Sequence, residues 1–432
     1  MVLEAAILLS IVFAVLLVLG IPISISIAIS SFATALYMMP FEAAAFTSAQ
    51  RMIVGLDSFS LLAVPFFILS GIIMNNGGIA IRLVNFAKVL SGRMPGSLAH
   101  TNVVGNMLFG TISGSSVAAA VAIGGVMNPL QEKEGYAKSY SAAVNIASAP
   151  TGLIIPPSGT LIIYSLVSGG TSITALFLAG YIPGILWGLS VMLVAYLFAK
   201  RYNYSIAPKV TWKIALKTFL EAFPSLLLIV IVIGGIVGGI FTATEGAAVA
   251  VIYSFILSFF FYKSIKVKAI PRILRESIEM TAIIMFLVAA SAFMSWIMSF
   301  TGIPELISGF VAGISENPII ILLLMNVLLI VVGTFMDITP AVLIFTPIFL
   351  PIVTGFGMDP VHFGIMLVMN LCIGNITPPV GSALFAGASV GKVSIEQVVK
   401  PLLPYYAVIF IVLMLVTFIP QLSLFIPQLL DL

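Results

Sequence analysis

The chain has 432 residues, of which 61% are hydrophobic and only 8% are charged, whereas soluble domains carry about 25% charged residues. Continuous apolar runs of roughly 17–25 residues indicate a helical polytopic membrane protein and exclude an outer-membrane barrel, whose strands alternate with a period of two. The formal net charge is +3, and because the basic residues lie in short loops between spans it does not indicate a nucleic-acid partner. The single cysteine, Cys372, excludes a disulfide framework.

The N-terminal half, predicted as residues 1–205, begins with a membrane span rather than a signal peptide. Its first apolar segment lacks a basic n-region and a small-residue cleavage site, so we expect it to be retained. The predicted elements are, in chain order, two spans (2–19 and 23–39), an interfacial amphipathic helix (40–59), an apolar segment (61–74), a broken segment (97–130), a second broken segment (139–168) and a closing span (173–199).

A charged segment of residues 200–217 divides the chain near its middle, and the C-terminal half is predicted as residues 206–432. It begins like the first half, with spans and an amphipathic segment, and it ends on one clean span. Its predicted elements are two spans (223–241 and 247–262), a basic amphipathic segment (263–279), a span (282–300), a broken segment (318–353), a second broken segment (361–390) and a closing span (405–426).

Small and hydroxylated residues interrupt the apolar sequence at two matched places. The first is Gly110–Ser116, and the second, at 333–340, begins 223 residues later. In each half a Pro-Pro pair follows at nearly the same distance, since Pro156 lies 46 residues after Gly110 and Pro378 lies 45 residues after Gly333. Such breaks leave backbone N–H and C=O groups without hydrogen bonds, and hydrocarbon offers them no partner. We therefore expect both breaks to be buried in protein or to line a water-filled cavity. The spacing predicts an internal duplication.

The basic residues predict the topology of the two halves. If the N-terminus lies outside and segments 97–130 and 318–353 are re-entrant hairpins, 17 of the 18 basic residues are cytoplasmic and only Arg51 is external. Both termini are then periplasmic, and the hairpins enter from opposite sides. The sequence therefore predicts an all-α polytopic membrane protein with inverted repeats, two re-entrant helical hairpins and two broken helices, which is the architecture of several secondary transporters.

The two breaks carry the candidate ligands for a substrate and an ion. Unwound backbone and hydroxyl oxygens can hold a cation without a permanent buried charge, and helix N-termini at the tips favour an anion. Two cation sites with a carboxylate substrate between them would follow. The candidate substrate ligands at the two tips are Ser113, Ser115, Ser116, Asp337 and Thr339.

Structural alternatives apply to the same residues. Small residues such as Ser113 also allow close helix packing in membranes, and Asp337 has the sequence position of a helix N-cap. An intramembrane carboxylate is nonetheless a functional candidate by default. His100 and His362 are expected at membrane boundaries, and Glu245 is expected to cap a helix start.

Other chemistries find no support in the sequence. No histidine or cysteine pair has the spacing of transition-metal ligands, and no P-loop pattern is present. The sequence around Ser113 lacks a base for nucleophilic catalysis. We therefore expect a transporter rather than an enzyme, with no cofactor other than a coupling ion.

Five segments together resemble the large membrane subunit of tripartite ATP-independent periplasmic (TRAP) transporters over essentially the whole chain. They are the segments 55–71, 110–116, 149–157, 333–340 and 375–381. The resemblance implies an elevator-type fold with a mobile transport domain, sodium as the coupling ion, and the bacterial inner membrane. It also implies a separate small four-helix membrane subunit, a periplasmic substrate-binding protein, and an organic-acid substrate of the C4-dicarboxylate or sialic acid class.

The resemblance also assigns two sodium sites by position. The first comprises Ser113, Ser116, Asn145, Pro150 and Gly152. The second comprises Gly333, Thr334, Asp337, Asn370, Gly374 and Thr377. The alternative function is a self-sufficient ion-coupled carboxylate carrier or antiporter of similar architecture that needs no binding protein.

Overall fold

The computed structural model describes residues 2–92, 94–204, 211–315, 317–430 and 432, and these residues form helices and their connections. The helices of the N-terminal half are α1 (Val2–Val18), α2 (Ile23–Met38), α3 (Phe41–Leu56), α4 (Ala63–Asn76), α5 (Ile79–Ser91), α6 (Ser97–Ser113), α7 (Ser116–Lys133), α8 (Lys138–Ser148), α9 (Thr151–Ile154), α10 (Gly159–Val167) and α11 (Ile173–Tyr202).

The C-terminal half contains ten further helices. They are α12 (Trp212–Val237), α13 (Ala243–Ile256), α14 (Ile270–Thr301), α15 (Ile303–Ile314), α16 (Pro318–Phe335), α17 (Ile338–Gly355), α18 (Pro360–Asn375), α19 (Ser382–Gly391), α20 (Ile395–Phe418) and α21 (Gln421–Leu429). Within the described residues, eight helices are long and apolar enough to cross a membrane, and the bent pair in the first half adds a ninth candidate. The predicted all-α membrane fold is confirmed.

The first predicted hairpin consists of α6 and α7, which pack against each other. The chain can reverse between them because Gly114 has a φ of +61°, a left-handed conformation that glycine adopts without steric cost. Ser115 then starts α7 as its N-cap, since its Oγ accepts a hydrogen bond from the Ala118 N–H at 3.2 Å. The second hairpin consists of α16 and α17, joined by the extended residues Met336 and Asp337.

Each predicted broken helix ends its first part in a Pro-Pro pair. In the first half, α8 and α9 are followed by a 49° bend and by α10. In the second half, α18 is followed by α19. The Pro156–Pro157 and Pro378–Pro379 peptide bonds are both cis. Proline lacks an N–H donor and clashes with the preceding turn, so an uninterrupted helix cannot continue through these pairs.

Paired glycines join each hairpin to the broken helix of its own half. A Cβ added to Gly110 would lie 2.7 Å from the Cα of Gly152, and one added to Gly374 would lie 2.5 Å from the Cα of Gly333. Only glycine permits these backbone approaches. The same glycine-to-glycine contact therefore occurs in both halves. In each half it joins the two breaks that the sequence places at matched positions.

Buried asparagines lie deeper in the same two interfaces. Asn106 of α6 donates to the Oδ1 of Asn145 of α8 at 3.1 Å. In the second half, Asn370 of α18 donates to the Oδ1 of Asn326 of α16 at 2.6 Å. A buried amide left without a partner is costly, so these bonds fix how each hairpin docks on its broken helix.

Helices α2, α3, α4, α13 and α14 form an outer layer that contacts the hairpins through α4 and α14. Helix α14 packs against α2, α3 and α4, and α13 packs against α4. The predicted external amphipathic helix is α3, and its Arg51 guanidinium lies 5.1 Å from the ring centroid of Trp296 on α14. This outer layer supplies α4 and α14 to the wall that faces the hairpin tips.

Two predicted boundaries differ from the structure, and a third lies outside the described residues. The basic segment 263–279 and the span 282–300 are predicted as separate elements, but most of both lies in the single 32-residue helix α14, because no breaker follows Pro271 at its start. The predicted closing span 405–426 is interrupted before Pro420, which separates α20 from α21. The predicted boundary at 205/206 falls in residues 205–210, outside the described residues, so the division into two repeat domains stays a prediction.

Candidate functional site

A cavity of about 220 Å³ lies between the two hairpin tips. The first tip contributes residues 113–118, the second contributes residues 337–339, and α10 contributes its first residues. Helices α4 and α14 form the opposite wall. All five predicted substrate ligands line this cavity, namely Ser113, Ser115, Ser116, Asp337 and Thr339. The structure therefore brings together residues that are more than 200 positions apart in the sequence.

The first tip is a tight turn with hydroxyl groups on both sides. The Oγ of Ser113 donates weakly to the carbonyls of Gly110 and Ser115, at 3.4 Å each. The Ser115 hydroxyl caps α7, and Ser116, the first residue of α7, is buried. On the facing helix, Gly71 lies against Ser113, since a Cβ there would come within 3.1 Å of the Ser113 carbonyl oxygen. Ser113 therefore packs against α4 and also lines the cavity, and its role as a substrate or ion ligand stays a prediction.

The second tip carries a carboxylate that binds across to the broken helix. Asp337 is the N-cap residue of α17, but its side chain makes no capping hydrogen bond. Its Oδ1 instead accepts from the Nδ2 of Asn375 and the Oγ of Ser382, both at 3.2 Å. Asn375 also accepts from the Ala383 N–H at 2.8 Å. Asp337 is thereby oriented by the break between α18 and α19 and exposed on the cavity side.

The residues predicted for the first sodium site lie in two places. Ser113 and Ser116 are at the cavity, whereas Pro150 and Gly152 are buried behind the tip, where Gly152 contacts α6. Asn145 is buried deeper, and its amide donates to the Ala120 carbonyl at 2.8 Å while its Oδ1 accepts from Asn106. Its side chain thus holds α6, α7 and α8 together, and its role as an ion ligand stays a prediction.

The second predicted sodium site is similarly divided. Gly333 and Gly374 are in backbone contact, with Thr334 and Thr377 nearby. The Thr334 hydroxyl donates to a carbonyl of its own helix, and the Thr377 hydroxyl donates to the Ile373 carbonyl near the end of α18. Asn370 lies one helical turn before Gly374, bonded to Asn326. Asp337 alone of this set reaches the cavity wall. These assignments also stay predictions.

Sequence reasoning overlooked several residues of the site. Ser382 holds the Asp337 carboxylate, Gly159 and Thr160 bring the start of α10 to the cavity, and Asn75 and Glu276 lie on the wall formed by α4 and α14. The start of α10 has a sequence signal, because it comes two residues after the Pro156–Pro157 pair. Nothing in the local sequence of α14 distinguishes Glu276 from the other charges around it.

The electrostatics of the cavity come from helix ends and acids. The described residues that line the cavity include two acids, Asp337 and Glu276, and no lysine or arginine. Helices α7, α10 and α17 all begin at this wall, and each presents free N–H groups and a positive dipole end. Such a site can hold a small anion through backbone donors if a bound cation balances the neighbouring carboxylate.

Comparison with known proteins gives a consistent result. A family model described as "Tripartite ATP-independent periplasmic transporter, DctM component" matches residues 10–422. The chain is 55% identical to the uncharacterized protein YgiK of Salmonella typhimurium, over 96% of each chain. It is 39% identical to the sialic acid TRAP transporter large permease protein SiaM of Vibrio cholerae, over 88% of this chain and 89% of that protein.

Two further comparisons concern a related permease and the fold. The chain is 37% identical to the C4-dicarboxylate TRAP transporter large permease protein DctM of Vibrio cholerae, over 96% of each chain. The crystal structure of the YdaH transporter of Alcanivorax borkumensis matches with a TM-score of 0.61 and 14% identity, covering 85% of this chain and 86% of that one, so the two share a fold. This chain is a multi-pass membrane protein that belongs to the DctM family, the large permease components of tripartite ATP-independent periplasmic transporters.

Proposed function

We propose that this chain imports an organic acid of the sialic acid or C4-dicarboxylate class, driven by sodium, across the bacterial inner membrane. The observation that carries the proposal is the cavity between the two tips, where three helix N-termini converge with all five predicted substrate ligands. Backbone donors suit a carboxylate, and the adjacent Asp337 suits a cation. The relatives named for sialic acid and C4-dicarboxylates support this substrate class.

Sodium fits the donor set at the tips. A hard cation takes oxygen ligands, and half-helix ends with unwound backbone supply them in several transporter folds. The carboxylate of Asp337 faces the cavity, with hydroxyls of Ser113 and Ser116 across from it. An anionic substrate placed between the tips has no basic side chain beside it among the described lining residues, so a co-bound cation is the natural counter-charge.

The cavity also supports an elevator mechanism. One wall consists of the hairpin tips and α10, and the other consists of α4 and α14 of the outer layer. Its far end is lined by Asn75 and Glu276, next to the basic first turns of α14 that the positive-inside rule assigns to the cytoplasm. In this conformation the site thus faces the predicted cytoplasmic side, and movement of the hairpins along α4 and α14 would turn it outward.

The tripartite family supplies the proposed partners. We infer a separate four-helix small membrane subunit and a periplasmic binding protein that delivers the substrate, with both termini of this chain periplasmic. The competing function is a carrier that is self-sufficient and needs no binding protein. The two differ in whether the binding protein is required for uptake.

Ion binding tests the proposed site directly. Sodium that binds only the folded state at one hundred times its Kd adds about 2.7 kcal/mol to stability. We therefore expect sodium, but not potassium, to raise the melting temperature of the purified permease complex. Asp337→Asn and Ser116→Ala should weaken that response, whereas Asp57→Asn, which changes an exposed acid after α3, should preserve it. Equal responses to both ions, or an unchanged response in Asp337→Asn and Ser116→Ala, would refute the assignment.

A further inference from the structure

A second cleft lies away from the transport cavity, between α5, the beginning of α12 and the segment that follows α13. Its volume is about 730 Å³, and its lining includes Arg82, Lys213, Lys217, Leu220 and Tyr262. Three of its lining residues are basic and one, Glu221, is acidic, so the cleft carries a net charge of +2. We propose that it binds the headgroup of an anionic glycerophospholipid, with the lipid chains lying on its apolar side.

The basic side of the cleft is fixed in place before any ligand arrives. The Arg82 guanidinium lies 3.6 Å from the ring centroid of Tyr262 and donates to the Gly78 carbonyl at 2.7 Å. Tyr262 is itself held, because its hydroxyl donates to the Glu221 carbonyl at 3.0 Å. An arginine has five N–H donors, so the stacked guanidinium retains donors for a phosphate.

The lysines add charge that is not neutralised within the cleft. Lys217 is 4.0 Å from Glu221 and both side chains are largely exposed, so this ion pair is weak. Lys213 lies one turn before Lys217 on α12. Basic pockets between membrane helices at the cytoplasmic face are typical sites for anionic lipid headgroups.

The position of the cleft relative to the spans argues for a lipid rather than a soluble anion. The charges of α12 all lie in its first ten residues, and residues 222–237 carry none. Residues 247–262, which reach the cleft from the other side, also carry none. The apolar lining side chains Leu220 and Phe261 are 58% and 68% exposed. The cleft therefore joins a basic surface to an uncovered apolar surface at the level where headgroups meet acyl chains.

Lipid titration of the purified complex of large and small subunits, followed by native mass spectrometry, tests the proposal. Each basic residue near a charged lipid surface contributes about 1 kcal/mol. We therefore expect Lys213→Gln with Lys217→Gln to weaken phosphatidylglycerol binding about thirtyfold. The double change to arginine should retain binding. The control Lys133→Gln with Lys400→Gln removes the same charge elsewhere and should leave binding unchanged.

Other probes distinguish the alternatives. Phosphatidylcholine should bind at least tenfold more weakly than phosphatidylglycerol, and inorganic phosphate should not compete at equal concentration. Equal binding of the two lipids, effective competition by free phosphate, or equal losses in the cleft and control variants would each overturn the proposal. So would binding to the isolated large subunit that disappears in the complex, because the small subunit would then be the occupant of the cleft.

Discussion

Replacement of Gly110 by alanine tests whether the hairpin must sit directly on the broken helix. The new Cβ would lie 2.7 Å from the Cα of Gly152 and 3.1 Å from its amide nitrogen. Carbon atoms in contact are at least about 3.5 Å apart, so α6 and α9 must separate by about 0.8 Å. Overpacking of this kind costs about 1–3 kcal/mol. The same shift displaces the tip at Ser113. We therefore expect substrate uptake to fall about a hundredfold, which is the rate loss that a displacement of about 1 Å can cause in an enzyme.

The control for this variant lies on the other arm of the same hairpin. Nothing lies within 4 Å of a Cβ added to Gly125 of α7, so Gly125→Ala should preserve uptake and leave stability equal or higher by up to about 1 kcal/mol. Melting temperature in detergent and initial uptake rate in proteoliposomes measure the two effects. If Gly110→Ala melts and transports like the wild type, the close approach of the hairpin and the broken helix is needed neither for stability nor for transport.

Three further predictions concern the packing that supports the site. Asn106→Ala removes the donor that satisfies Asn145 Oδ1, so thermal unfolding should show that stability falls by about 1–3 kcal/mol. An unchanged melting temperature would show that this hydrogen bond does not stabilise the protein. Trp187→Phe leaves the buried Ala147 carbonyl without its 2.9 Å indole donor and should cost a similar amount in the same assay. Thr242→Ala breaks the capping box with Glu245 at the start of α13, so it should cost about 1 kcal/mol while uptake per folded molecule stays at the wild-type level.

Much of the fold follows from local signals in the sequence. Apolar length places the spans, and the hydroxyl-rich turn before Ser115 places the first tip, because glycine and a capping serine end one helix and start the next. The Pro-Pro pairs place the breaks of both interrupted helices. The capping role expected of Glu245 is confirmed by its hydrogen bonds with Thr242.

The finer arrangement of the site depends on contacts between distant positions. Asp337 could be identified as an intramembrane acid, but its partner Ser382 lies 45 residues away and has no local signature. Likewise, Asn145 looks like a free polar ligand in the sequence, whereas the fold surrounds it with partners from two other helices. Periodicity and composition do not encode which buried polar group meets which, so the choice between ligand and structural residue requires the tertiary structure.

Uptake of a radiolabelled substrate into proteoliposomes containing both membrane subunits tests whether this permease depends on both sodium and the binding protein. The vesicles are compared with and without an inward sodium gradient, and with and without the substrate-loaded binding protein. We expect uptake only when both are present, and we expect that uptake to be lost in Asp337→Asn and retained in Asp57→Asn. Uptake that proceeds without the binding protein, or that a proton gradient drives in the absence of sodium, would contradict this expectation.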